Sequence, residues 1–346
     1  MGCFWDFPPG DRVLRPGGRI EVRLENPPIE TAPGSLFKWS GNVYASTGCD
    51  DDGENCDTAL CPVSRGGELS VEPCPNGVGP VGPVTLAEFT LDFMRRDFYD
   101  ISIIDGINVP VSMRPAERLD PEEPDPYFCQ EAGAVAASET GLLGCSWSFD
   151  PTIPGFGDQS NLLTTVVAGS DRDCSDGCPA GEVCGRQLEI GSEDVSEVCG
   201  RQIAWWTANE LCGHTTNGLG APLNCATAVP GQGIQSNLYL CDGANSNSCY
   251  QENDADPTCC GCPMWHVDGK PVPVANGFRC FAFNPSWTRL AEPWSQFLKD
   301  GCPSAYTFPF DDATSTFTCT TPEPSASNPN TMDYTITFCP GGLTAF

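Results

Sequence analysis

The sequence predicts a mainly β protein that is cross-linked by disulfides, and three observations support this fold class. Glycine (37) and proline (33) are abundant in a chain of 346 residues, which leaves little room for long helices. Short segments alternate polar and apolar side chains, as half-buried strands do. The 22 cysteines run from Cys3 to Cys339, and so many cysteines are rare in proteins of the reducing cytosol.

Alternating segments near both ends of the chain predict the strands of one β-rich core. Phe98–Pro110 is predicted to form a strand, a tight turn at Asp105 and Gly106, and a second strand. Pro293–Lys299 is predicted to be a short helix. The other predicted strands are Arg19–Leu24, Leu86–Leu91, Thr316–Cys319 and Tyr334–Phe338.

The middle of the chain, residues 117–302, differs from both ends in its residue pattern and cysteine content. Regular alternation is lost there, and 15 of the 22 cysteines lie between Cys129 and Cys302, counting both. The segment Val183–Gln187 recurs as Val198–Gln202, which we interpret as a repeated disulfide loop. The sequence therefore predicts a disulfide-rich excursion inserted into a core that both chain ends build.

The charge balance limits the possible partners. With 17 Lys and Arg against 46 Asp and Glu, the net charge is −29, which disfavours nucleic acid. We expect no membrane insertion, because no run approaches the ~18 apolar residues that span a bilayer. We also expect no metal and no cofactor. The cysteines lack paired zinc-binding spacings, only His214 and His266 are available, and no phosphate-binding loop is present.

The cysteines also predict an extracellular location, because disulfides form and persist in oxidising compartments. Residues 1–20 carry charges and prolines instead of the apolar stretch of a signal peptide. We therefore expect the numbering to begin at the mature protein, or a leader to have been removed.

Segments from both ends of the chain share motifs with one known family. Its signature core is matched by Thr85–Leu91 and Phe98–Val111, and its closing motifs by Gly301–Cys319 and Tyr334–Pro340. The cysteine-rich loop of its fungal-type form is matched by Cys249, Cys259, Cys260 and Cys262. On these residues the chain resembles the thaumatin-like protein family, of the pathogenesis-related group 5 type.

The resemblance implies a flattened antiparallel β-sandwich with an inserted disulfide-rich domain and a small disulfide-closed hairpin. The inserted domain is longer here than is usual in the family, so we expect it to be enlarged. The implied sandwich consists of residues 1–48, 76–116 and 303–346, the hairpin region of residues 49–75, and the enlarged domain of residues 117–302.

The same resemblance implies five disulfides. Two would close the hairpin, one would tie the two termini together, and two would join the inserted domain to the core. These pairs are Cys49–Cys56, Cys61–Cys74, Cys3–Cys339, Cys129–Cys319 and Cys145–Cys302. The pairings within residues 174–280 stay open, because spacing alone does not determine connectivity.

The family is associated with binding, and sometimes slow hydrolysis, of β-1,3-glucan in an acidic cleft. Glu88, Asp100 and Asp105 fall on three of its cleft positions. Glycoside hydrolysis needs a protonated acid and an ionised partner, which clustered carboxylates supply because repulsion raises one pKa. The resemblance thus implies that these three acids are catalytic in a weak endo-β-1,3-glucanase or line a binding cleft. Alternatively, Asp100 and Asp105 are strand-end and turn carboxylates that accept backbone N–H bonds.

Two positions depart from the family pattern. Ser46 stands where the family has an arginine, and Ser304 stands where an aspartate is expected after the Cys-Pro pair. Asp311 and Asp312 lie a few residues further on and could compensate for the missing aspartate. With both departures, three of the five cleft positions remain, which weakens the case for catalysis more than the case for binding.

Aromatic side chains offer a second kind of candidate. Trp205, Trp206 and Trp265 are predicted to stack on sugar rings, because aromatic faces suit the apolar faces of sugars; the alternative is that they anchor disulfide-rich loops by burial. The predicted partner is therefore a polysaccharide such as β-glucan. The alternative function is a non-catalytic extracellular structural or assembly protein whose enlarged insert contacts other proteins.

Overall fold

The computed structural model describes most of the chain. The described residues are 13–23, 38–51, 56–62, 69–70, 79–92, 95–117, 119, 124–149, 152–153, 157–158, 164–188, 195–214, 223–231, 233–241, 260–278, 283–321 and 332–344.

The described residues form a mainly β structure with a few short helices. The strands are β1 (Lys38–Val43), β2 (Cys61–Pro62), β3 (Leu69–Ser70), β4 (Leu86–Asp92), β5 (Asp97–Ser102), β6 (Val111–Pro115), β7 (Thr152–Ile153), β8 (Gly157–Asp158), β9 (Thr164–Asp173), β10 (Val183–Leu188), β11 (Val195–Trp205), β12 (Ala228–Val229), β13 (Gly233–Ile234), β14 (His266–Val267), β15 (Lys270–Pro271), β16 (Phe317–Cys319) and β17 (Tyr334–Phe338). The helices are α1 (Ala208–His214), α2 (Gln235–Leu240), α3 (Pro285–Leu290), α4 (Glu292–Gly301) and α5 (Asp312–Ser315).

The β-rich core is an antiparallel sheet in the order β1-β4-β5-β16, beside which β6 pairs with β17. Strand β16 comes from the C-terminal part of the chain and pairs with β5 from the N-terminal part. The predicted assembly of one core from both chain ends is therefore confirmed, as is the predicted mainly β, antiparallel fold class.

The middle region contributes a three-stranded antiparallel sheet and most of the helices. In this sheet β11 lies between β10 and β9. The two copies of the repeated segment lie on β10 and β11, and they pair so that Cys184 stands opposite Cys199. Helix α3 begins where the Asn284 side chain accepts hydrogen bonds from two backbone N–H groups, with Pro285 in its first turn.

One continuous hydrophobic core joins the strands to the middle region. In the β-rich part, Tyr99 packs on Phe317 with ring centroids 5.6 Å apart. In the middle region, Phe149 packs on Trp205 and Phe297 at 6.4 and 6.0 Å. All five side chains are buried, so both parts of the chain contribute to the same interior.

Disulfides reinforce the junction between the two parts. The structure contains three of the predicted pairs: Cys129–Cys319 joins the middle region to the C-terminal segment, Cys145–Cys302 joins the early part of the middle region to its last residue, and Cys49–Cys56 lies in the N-terminal part. Among the described residues, four further pairs lie within the middle region: Cys174–Cys184, Cys178–Cys199, Cys212–Cys225 and Cys241–Cys260. The predicted pair Cys61–Cys74 falls outside the described residues, because Cys74 and the Cys61 side chain are not described.

Two predictions about the ends of the chain need correction. Residues 19–23 form no strand, because alternation specifies a strand only where a neighbouring strand pairs with it. Cys339 is an exposed free thiol at the end of β17, so the predicted bond to Cys3 is not formed; Cys3 itself lies outside the described residues. Among the described helices, none has the length and apolar character needed to cross a membrane.

Candidate functional site

Strand pairing brings two of the three predicted acids together. Glu88 on β4 stands directly opposite Asp100 on β5 in the antiparallel register. Directly opposed residues share a face of the sheet, with Cβ atoms about 4.5–5.5 Å apart. Both residues are half-buried. The pairing therefore places two carboxyl groups side by side at a partly water-excluded surface.

A third acid reaches this pair from the C-terminal segment. The Tyr306 backbone is fixed to the end of β5, because its N–H donates to the Ile101 carbonyl (2.8 Å) and its carbonyl accepts from Ile103 N–H (3.0 Å). The Tyr306 hydroxyl donates to Asp312 Oδ1 (3.2 Å) and also hydrogen-bonds to the hydroxyl of Thr316. The structure thus holds Asp312 close to Asp100.

The surroundings raise the proton affinity of the pair. Burial raises the pKa of Glu88, and a hydrogen bond from the Ser102 side chain opposes that shift. Burial also raises the pKa of Asp100 well above its ordinary value, and the negative charges of Glu88 and Asp312 raise it further. Asp100 Oδ1 is sealed from solvent and has no hydrogen-bond partner. The arrangement favours a protonated Asp100 beside a neighbour that gives up its proton more readily.

We name the surface around this pair the acid face; it comprises Ser40, Asn42, Glu88, Thr90, Phe98 and Asp100. The register places these residues on one side of β1, β4 and β5. Ser40 and Thr90 share a hydrogen bond (2.8 Å), and Asn42 stands opposite Glu88 on the neighbouring strand. Phe98 is 40% exposed, an unusual state for a large aromatic ring. The acid face thus offers polar groups and one aromatic ring beside the acid pair.

Asp105, the third predicted acid, lies on the turn after β5. Its carbonyl accepts from Val84 N–H (3.0 Å), and the turn is joined to the end of β11 through paired backbone bonds between Ile107 and Trp205 (2.9 and 2.7 Å). The charges that raise the pKa of Asp100 come from Glu88 and Asp312. The structure therefore pairs Glu88 with Asp100 and places Asp105 at the junction with the middle region.

The predicted sugar-stacking tryptophans are buried, so that prediction is wrong. Trp205, Trp206 and Trp265 are only 7%, 2% and 2% exposed. Trp206 Nε1 donates to the Arg186 carbonyl (3.0 Å) and Trp265 Nε1 to Asp311 Oδ1 (2.8 Å). These rings anchor the middle region through packing and hydrogen bonds. The exposed ring beside the acids is instead Phe98.

The two serines that depart from the family pattern have structural contacts. The Ser46 hydroxyl donates to the Ala59 carbonyl (3.1 Å). Ser304 is buried, and its hydroxyl accepts from Gly133 N–H (3.2 Å) beside the Cys145–Cys302 disulfide. Asp312 supplies a carboxylate near Asp100 in spite of Ser304. The sequence indicated Asp312 as a replacement for the missing aspartate only together with Asp311, and it did not distinguish the two.

One group of described residues has the spacing of metal ligands. It consists of the sulfur atoms of Cys174, Cys178 and Cys199, which lie within 4.8 Å of one another. These sulfurs belong to two disulfides, and thiolates are the form of cysteine that binds metal. The oxidised cluster is therefore structural.

Comparison with known proteins extends the resemblance over the chain. The thaumatin family profile matches residues 19–267 and 282–340. Thaumatin-like protein 1 of Arabidopsis thaliana is 28% identical over 310 residues, covering 87% of this chain and 68% of that protein. Pathogenesis-related protein 5 of the same plant is 26% identical over 314 residues, or 90% of this chain and 74% of that protein. A glucan endo-1,3-beta-glucosidase of Prunus avium is 40% identical over 81 residues, or 22% of this chain and 30% of that protein. Since the family profile covers well over half of its residues, the chain belongs to the thaumatin family.

Proposed function

We propose that this protein binds β-1,3-glucan, or a related neutral polysaccharide, on the acid face and hydrolyses it slowly. The observation that carries the proposal is the cross-strand pairing of Glu88 with Asp100. A Prunus avium protein named as a glucan endo-1,3-beta-glucosidase shares 40% identity over part of the chain, which supports the same substrate class.

In the proposed reaction, the two acids have different roles. Asp100 donates its proton to the glycosidic oxygen as the C–O bond breaks, and the Glu88 carboxylate stabilises the positive charge that develops on the sugar ring. Directly opposed strand positions favour the shorter carboxyl separation of about 5–5.5 Å that is typical of retaining glycosidases. Water then attacks the anomeric carbon and returns the proton to Asp100.

The remaining acid-face residues would bind the sugar chain. Phe98 precedes Asp100 by two residues on β5, so its exposed ring lies on the same face of the sheet. There it would pack on a sugar ring. Asn42 and Thr90 would hydrogen-bond to sugar hydroxyls, which requires no charged group on the substrate. We propose an extracellular location for this activity, because the seven disulfides of the described residues suit an oxidising compartment.

The test measures laminarin binding and reducing-sugar release by the wild type, Glu88→Gln and Asp100→Asn. Asp176→Asn is the control, because it removes one negative charge from an exposed position. We expect wild type and control to release sugar at equal rates and the two acid variants to lose at least about 10²-fold. Phe98→Ala should weaken laminarin binding while the pH dependence of sugar release stays the same.

The outcomes separate the two parts of the proposal. If the wild type binds laminarin but neither it nor any variant releases sugar, the proposed binding role stands and the proposed catalysis is refuted. Absence of both binding and release would refute the proposal and leave the non-catalytic extracellular role as the remaining hypothesis. Equal sugar release by wild type and Glu88→Gln would also refute the assigned mechanism.

A further inference from the structure

A fully buried lysine lies near the end of α4 and binds the segment that carries Tyr306 and Asp312. Lys299 is one of three lysines in the sequence, and its side chain is 0% exposed near the end of α4. Its ammonium group donates to Asp311 Oδ2 (2.7 Å), the Ala305 carbonyl (2.8 Å) and the Ser315 hydroxyl (2.8 Å). These three bonds use all the donors of the ammonium group.

The partner carboxylate is equally well satisfied. Asp311 accepts hydrogen bonds from Trp265 Nε1 (2.8 Å), Thr314 Oγ1 (2.7 Å) and Thr307 Oγ1 (3.0 Å), in addition to the lysine. Desolvating both charges costs several kcal/mol, so a buried ion pair is weak evidence of net stabilisation. Where such pairs occur, fixing one arrangement of the chain is their best-attested use.

The residues that Lys299 binds belong to the segment that carries the third acid. Ala305 and Ser315 stand at the two ends of residues 305–315, and Asp311 lies between them. Tyr306 follows Ala305 directly, and Asp312 follows Asp311 directly. Through three bonds, one ammonium group therefore holds both ends and the middle of the segment that places Tyr306 and Asp312 beside Asp100.

We propose that Lys299 and Asp311 are positioning residues that hold Tyr306 and Asp312 against Asp100, and so set the proton affinity of the Glu88–Asp100 pair. The inference deepens the proposed function, because it treats that pair as the reactive one. Lys299 and Asp311 themselves do not touch the substrate.

The charged and titratable groups around the pair are consistent with this role. Asp100 faces Glu88 from β4, Asp312 from α5, and the Tyr306 phenol from the segment between them. Burial and the charges of Asp100 and Asp312 raise the pKa of Tyr306 well above its ordinary value. The phenol therefore stays protonated and continues to donate to Asp312. Movement of the segment would take the Asp312 charge away from Asp100.

The experiment follows the carboxyl titration of Glu88 and Asp100 by side-chain ¹³C NMR, without substrate. Because Lys299→Met alone leaves an unneutralised buried carboxylate, the test uses the double variant Lys299→Met/Asp311→Asn and the single variant Tyr306→Phe. Lys270→Met is the control, since it removes the same charge from an exposed strand residue. We expect the upper apparent pKa of the pair to shift downward in both test variants and to stay unchanged in the control.

The NMR result decides the inference independently of activity. A downward shift supports positioning even if wild-type protein releases no sugar from laminarin, a result that would refute only the proposed catalysis. An unchanged titration in a folded double variant would overturn the inference. If the double variant does not fold, the Tyr306→Phe titration decides, because that substitution removes only one hydroxyl group.

Discussion

Lys299→Met is the substitution whose effect on stability follows most directly from the structure. It removes the ammonium group that neutralises Asp311, whose side chain is only 2% exposed, and it removes three hydrogen bonds. Taking away one partner of a buried pair costs about 3–5 kcal/mol, because the other charge stays buried and uncompensated. At the ~2 °C per kcal/mol expected of a large domain, Tm should fall by roughly 6–10 °C.

The assay is thermal unfolding at neutral pH for Lys299→Met, Lys299→Met/Asp311→Asn and Lys270→Met. The double variant should lose less stability than the single variant, because it leaves no unpaired charge in the interior. Lys270→Met should stay within about 0.5 kcal/mol of wild type, as an exposed position does. A single variant as stable as the Lys270 control, or no more destabilised than the double variant, would refute the reasoning.

Two further predictions concern the acid pair and the turn after it. Asp100→Asn should stabilise the protein relative to wild type by an amount that grows as pH rises above about 4, because a carboxyl whose folded pKa is raised loses stability as pH rises toward that folded value. A Tm difference between the variant and wild type that is the same at pH 4 and at pH 7 would contradict this. Gly106→Ala should cost at least about 1–2 kcal/mol, because Gly106 has φ +97° and an added Cβ would lie 2.9 Å from the Trp205 carbonyl. Thermal unfolding of Gly106→Ala and of Gly269→Ala tests this, because Gly269 also has positive φ but open space around it. Equal losses of stability in the two variants would show that the close approach of the added Cβ to the Trp205 carbonyl costs nothing.

The β-rich core could be predicted from sequence because its strands alternate cleanly. Leu86–Leu91 was predicted as a strand and lies within β4, and the turn at Asp105 ends the strand that became β5. The register could not be predicted, since the pairing of β4 with β5 depends on the geometry of the connection between them, and β16 pairs with β5 across more than 200 residues of chain. Only the register reveals that Glu88 stands directly opposite Asp100.

The candidate site shows a sharper limit of sequence reasoning at two adjacent residues. Asp311 and Asp312 are indistinguishable in sequence, yet the first is buried in an ion pair and the second accepts a bond from Tyr306 beside Asp100. Residues next to each other at a helix start point in different directions, so their fates depend on the surrounding packing. The prediction that the tryptophans stack on sugar is wrong for a similar reason: a ring that can stack on a sugar can equally fill a core, and the surrounding packing decides which.

The charge of the protein narrows the class of polysaccharide that the proposed site would bind. A net charge of −29 repels anionic polymers over distances comparable to the Debye length. The acid pair adds a like charge at the point of contact, and a carboxylated or sulfated sugar there would raise the pKa of Asp100 still more. A neutral glucan meets neither penalty, and its hydroxyl groups match the polar side chains of Asn42 and Thr90. The same acidity that disfavours nucleic acid therefore also favours a neutral polysaccharide over an anionic one, and added salt should improve the binding of anionic competitors while leaving that of laminarin unchanged.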